Sequence, residues 1–86
     1  MPKISQFHGV AILLYFQDHA PPHFHAMHGD DEAVITIAPP GVYAGALPGK
    51  SLKRVLTWTG LNQTALLANW QLGQLGQPLN SIPPLP

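Results

Sequence analysis

The sequence predicts an α+β domain: a small antiparallel β-meander packed against a long C-terminal helix that is kinked or broken. Three observations predict it. Residues 10–16, VAILLYF, are apolar at every position, rich in strand formers and bounded by Gly9 and Asp18, as suits a strand buried on both faces. Turn-forming clusters at His8-Gly9, at GDDE (29–32) and at APPG (38–41) cut the first half into strand-length pieces. From Ser51 onward the apolar spacing changes to about 3.6 residues.

Taken in order, residues 3–7 form a short edge strand joined to the 10–16 strand through His8-Gly9. Residues 23–28 and 33–38 form a hairpin, and 42–47 a last short strand. Pro48 suits the first turn of a helix. Trp58, Leu61, Ala65, Ala68, Leu72 and Leu75 then follow the i, i+3, i+4 rule, and Leu52, Val55, Leu56, Leu66 and Trp70 widen the stripe. Gly60 is the expected break, since glycine inside a helix costs about 1 kcal/mol relative to alanine. Gly76 is the expected C-cap, and Pro78 blocks continuation. One domain spans 1–86, with a strand-rich half (1–47), a helical half (48–76) and a proline-rich tail (77–86) laid over the core through Leu79, Ile82 and Leu85. The PxxP match at residues 83–86 fits an SH3-like groove, but packing on the core is the preferred reading. Residues 10–16 with Ile35, Ile37, Leu52, Leu56, Leu66 and Trp70 are the expected core.

Composition narrows the function classes. Only 9% of the 86 residues are charged, against about 25% in a typical chain, and four basic residues balance four acidic ones. No global field draws in nucleic acid or an anionic membrane. A neutral surface also removes repulsion between copies, so a homodimer is a candidate assembly, with the weakly charged, two-tryptophan helix as its face. The absence of cysteine excludes disulfides and thiolate zinc sites. No signal-peptide pattern opens the chain, and the 10–16 run falls far short of the roughly 20 residues that span a bilayer, so a cytoplasmic protein without membrane contact is expected.

The chemically loaded stretch is HAPPHFHAMH (19–28), which holds four of the five histidines. In a strand, His23, His25 and Met27 share one face, and Phe24, Ala26 and His28 the other, which Phe24 marks as the core side. Residues two apart rise about 6.6 Å, close enough for two imidazoles to converge on one ion. Residues before proline avoid the helical region, so Pro21-Pro22 can carry His19 back over the His23/His25 face. The candidate metal ligands are therefore His19, His23, His25 and Asp18. Asp30, Asp31 and Glu32 are alternative carboxylates for a fourth or outer position. Neutral nitrogens with an open position point to a divalent metal such as zinc or nickel. Two readings compete with it: a structural or partner-contact role for the histidines, which is the leading one, and metal-free catalysis, with His23 and His25 as general base and acid in RNA cleavage. Its phosphate would be met by Lys50, Lys53 and Arg54 near the helix start, and that trio is otherwise an ordinary solvated helix face.

The segments MPKISQFHG, YFQDHAPPHFHA, LPGKSL and LLANW…GQPLNSIPPL resemble a family of small bacterial proteins known as domain-of-unknown-function family 4160. The resemblance covers nearly the whole chain, and its most specific block runs from Tyr15-Phe16 to Ala26. It implies a single α+β domain without a settled activity, encoded beside a second small gene. That leads to a protein-interaction module of a toxin–antitoxin-like or regulatory pair, with the His/Pro loop exposed and a protein partner encoded nearby. A histidine-dependent endoribonuclease-type toxin and a metal-binding domain are the alternatives. Relatives commonly carry tyrosine at the position of His28, and a charged helix where this chain has TWTGLNQTALLANWQLGQLG, which leaves nucleic acid weakly supported as a partner.

Overall fold

The structure, a computed structural model, describes residues 2–86. Five strands form one antiparallel sheet in chain order: β1 (Lys3–Phe7), β2 (Val10–Leu13), β3 (His23–His28), β4 (Asp31–Thr36) and β5 (Gly41–Gly45). Two helices follow, α1 (Gly49–Leu61) and α2 (Gln63–Gln74). The fold is α+β, and its helical part is two short helices rather than one long one.

Turn chemistry explains the tight connections. Phe7 pairs with Val10 across His8 and Gly9, whose φ values of 49° and 78° make the two-residue turn that matches strand twist. His28 pairs with Asp31 across Gly29 and Asp30, with Gly29 at φ 60°. This places β4 at 31–36 rather than 33–38, and Ile37 continues the pairing through a bond from its N–H to the Pro22 carbonyl, 3.1 Å. β5 likewise starts and ends a residue or two earlier than expected.

The core lies on one sheet face. Val10 and Ile12 of β2, Phe24 and Ala26 of β3, and Ala33 and Ile35 of β4 pack with Val55, Trp58, Leu66 and Trp70 of the helices. Phe16 departs from the expected core: it is 44% exposed. Gln17 adopts φ 53° and donates its N–H to the Gly73 carbonyl, so the chain leaves the sheet after Leu13 and turns toward α2. Leu52 and Leu56 sit half-buried at the core margin. Both tryptophans turn inward, which removes them from the helix face expected to join two copies.

The helix breaks at Asn62 rather than at Gly60, which is accommodated inside α1. Asn62 has φ −125° and ψ 25°, its N–H returns to Thr59 O, and its side-chain Nδ2 donates to Trp58 O at 2.8 Å. Those bonds occupy carbonyls that a continuing helix would use. At the end of α2, Gly76 (φ 69°) donates to Gly73 O and Gln77 to Leu72 O, the paired bonds of a Schellman motif. Gly76→Ala is expected to lower stability by about 1 kcal/mol, because alanine resists a left-handed φ. The cost should appear as a lower urea midpoint at unchanged slope, and Gly76→Asn should cost less.

The tail crosses back to the start of the chain. Ile82 N–H donates to Ile4 O at 2.9 Å, along the outer edge of β1. Trp58 Nε1 donates to Pro83 O, and the buried Asn69 amide bonds both backbone groups of Asn80. Ile82 is buried, and Leu79 and Leu85 are half-buried against the core. Among the described residues no helix is long and apolar enough to cross a membrane.

Candidate metal centre

Strand alternation puts His23 and His25 on the face of β3 opposite Phe24 and Ala26, with ring centroids 5.6 Å apart. Aromatic rings hold both in place: Trp70 lies 5.2 Å from His23, and Tyr15 meets His25 edge-on at 4.4 Å. Asp18 comes from the connection before β3. Its Oδ1 accepts the His19 backbone N–H at 2.8 Å, and its carbonyl accepts from Gln74 Nε2 at 3.1 Å. That leaves Oδ2 facing His23 Nε2 at 2.9 Å and His25 Nε2 at 3.7 Å.

The far side of each ring decides its chemistry. His23 Nδ1 lies 2.7 Å from the Pro21 carbonyl, and His25 Nδ1 lies 2.7 Å from Glu32 Oε2. A carbonyl or ionised carboxylate only accepts, so both Nδ1 atoms carry the hydrogen. In the neutral ring each Nε2 then presents a lone pair toward the Asp18 oxygen. Three electron-rich atoms, one from each of Asp18, His23 and His25, lie within 4.8 Å of one another. Such a set requires a positive charge between its members, either added protons or a metal ion. Burial works to raise the Asp18 carboxyl, but the His19 N–H and, when the rings are protonated, the His23 hydrogen bond and the charges of His23 and His25 outweigh it and hold the carboxyl below its ordinary value of 3.8.

Glu32 reaches His25 because of the hairpin register. Met27 faces Glu32 and His25 faces Val34, so Glu32 is the diagonal neighbour of His25 on the same sheet face. The three donors open onto a cleft of about 300 Å³, walled by His19, Ala20 and Pro21 on one side and by Val34, Tyr43 and Ala44 on the other.

The family model described as Domain of unknown function (DUF4160) matches residues 9–71. This chain belongs to that family. Comparison with curated proteins and with solved structures returned no match. Asp18, His23, His25, Glu32 and Tyr43 all fall inside the DUF4160 segment, and the tail lies outside it.

Not every candidate from the sequence joins this DUF4160 site. His19 lines the cleft, but its side chain is exposed and its ring nitrogens fall outside the three-donor set. His19 gives its backbone N–H to Asp18 instead, and the set has two nitrogens and one oxygen rather than three nitrogens and one oxygen. His28 lies against Gly9 at the other end of β3. Asp30 and Asp31 are exposed at the hairpin. Lys50, Lys53 and Arg54 line a separate cleft with Thr57 and Leu85, and that cleft shares no residue with the histidine cleft. Tyr15, Trp70, the Pro21 carbonyl and Tyr43 had no signal in the spacing of chemical residues. Glu32 had one, in its hairpin parity with His25.

Proposed function

We propose that this DUF4160 chain is a metal-binding domain, holding a divalent transition metal through His23 Nε2, His25 Nε2 and Asp18 Oδ2. The observation that carries the reading is the orientation of the two rings: both commit Nδ1–H to fixed acceptors, and both Nε2 atoms face one carboxylate. Histidines that ligate metals commonly donate their other N–H to a carbonyl or carboxylate in this way, which fixes the tautomer and raises the basicity of the ligating nitrogen. Three protein donors leave coordination positions open toward the cleft for water or a small ligand.

The other readings fare unequally. A metal-free ribonuclease needs a cation beside the histidine pair, and the three candidate cations line another cleft. An interaction module of a toxin–antitoxin-like or regulatory pair has the exposed Phe16, Val42 and Tyr43 as apolar contact surface, and a metal site is compatible with it.

Calorimetric titration of untagged protein with zinc chloride tests the metal reading. One site of micromolar or tighter affinity is expected. His23→Ala and His25→Ala should abolish it, Glu32→Gln should weaken it about 10–100-fold, and His28→Ala should leave it intact. Affinity should fall as the pH is lowered, because protons compete with the metal for Nε2. A parent protein that takes up no zinc, nickel, cobalt or iron overturns the proposal.

A further inference from the structure

The pairing of β4 with β5 contains an irregularity that points at the cleft. Val34 faces Ala44, and the next β4 residue, Ile35, faces Val42. One step along β4 thus matches two along β5, and Tyr43 is the extra residue of a β-bulge. In a regular strand Tyr43 and Ala44 would point to opposite faces, yet both line the histidine cleft. The bulge has turned Tyr43 toward the site. Tyr43 as a residue is 64% exposed, and among the described residues its hydroxyl has no hydrogen-bond partner and its ring no aromatic neighbour. Packing in the isolated chain therefore gives no reason for a large aromatic there.

We infer that Tyr43 selects the ligand of the metal cleft, and that this ligand is a small mono-anionic oxygen chelator carrying a flat apolar group. The inference rests on the metal reading above. Two neutral imidazoles and one carboxylate leave a divalent ion with one positive charge, and Glu32 behind His25 lowers the local charge further. No lysine or arginine lines the cleft, so a dianionic phosphate meets too little opposing charge. A volume of about 300 Å³ admits a group the size of a benzene ring with its chelating head. Val34, Ala44 and Pro21 supply apolar walls, and the Tyr43 ring supplies a stacking face.

The test uses the full chain loaded with zinc and two hydroxamic acids, which bind metals as mono-anions through two oxygens. Benzohydroxamic acid should bind about tenfold more tightly than acetohydroxamic acid, the contribution of one aromatic contact. Tyr43→Ala should erase that preference and leave zinc affinity unchanged, and Tyr43→Phe should retain it. Phenyl phosphate should bind more weakly than benzohydroxamic acid. Equal affinities for the two hydroxamates in the parent, or a preference that survives Tyr43→Ala, would overturn the inference while the metal reading stands. Stronger binding of phenyl phosphate than of benzohydroxamic acid would overturn it too. A parent that takes up no zinc, nickel, cobalt or iron overturns both.

Discussion

Trp58→Ala is expected to remove most of the stability of the fold. Trp58 is 1% exposed, and it packs against Phe7 at 5.2 Å and edge-on to Phe24 at 5.7 Å, so one side chain joins α1 to β1 and β3. Its Nε1 also donates to Pro83 O and fastens the tail. Truncating a buried aromatic to alanine costs about 3–5 kcal/mol, and domains of this size hold near the low end of about 5–15 kcal/mol in total. Trp58→Phe keeps most of the packing and loses the bond to the tail, so its cost should be nearer 1 kcal/mol. Urea unfolding followed by circular dichroism separates the three proteins. A Trp58→Ala protein that unfolds at the parent's midpoint would mean that α1 does not pack on the sheet.

The second large effect is expected at Gly45. Gly45 has φ 76°, and a Cβ placed there would overlap the Glu32 carbonyl oxygen and sit 3.1 Å from Ala33 Cα. The left-handed backbone alone costs about 1–2 kcal/mol in alanine. The overlap adds to it, because the neighbour is backbone and cannot rotate away. Relief requires β5 to move off β4, which breaks the bond from Ala46 N–H to Glu32 O. Gly45→Ala should therefore lose more than about 2 kcal/mol of stability, and in its folded fraction zinc affinity should fall toward that of Glu32→Gln. Gly29 is the control: its φ is also positive, but a Cβ there meets nothing within 4 Å. Gly29→Asn should fold and bind zinc much as the parent does. Unchanged zinc affinity in Gly45→Ala would show that Glu32 does not depend on the β4–β5 contact.

Features decided by local chemistry were legible in the sequence. The His8-Gly9 turn, the start of α1 after Pro48 and the left-handed Gly76 just past the Leu75 C-cap of α2 each follow from what one or two residues allow. Features decided by distant contacts were not. Tyr15 and Phe16 read as strand because they are apolar, and only the approach of α2 to Gln17 shows why β2 stops at Leu13. Gly60 carried the expected break on propensity alone, but the side chain and backbone of Asn62 capture the carbonyls that end α1. The site divides in the same way. The shared face of His23 and His25 is strand parity, readable from the sequence. Choosing Glu32 over Asp30 and Asp31 needs the two-residue length of the hairpin turn. Tyr43 needs the bulge, and no residue type in GVYAG announces one.

The order of the sheet has a consequence for how the chain reaches this structure. Every strand pairs with its neighbour in sequence, so each hairpin closes only a short loop, and the entropy lost before native contacts form is small. The tail is the exception, since it meets residues near the other end of the chain: His8 Nε2 lies 3.1 Å from the Pro86 carbonyl, 78 positions away. Contacts of that separation gain little until the intervening segments are in place. The meander, with Asp18, His23 and Glu32 held in the β2–β4 region, is therefore expected to form first. The tail is expected to close late and to act as a latch, so that loosening its contacts, as in Ile82→Ala, should speed unfolding and change the folding rate little.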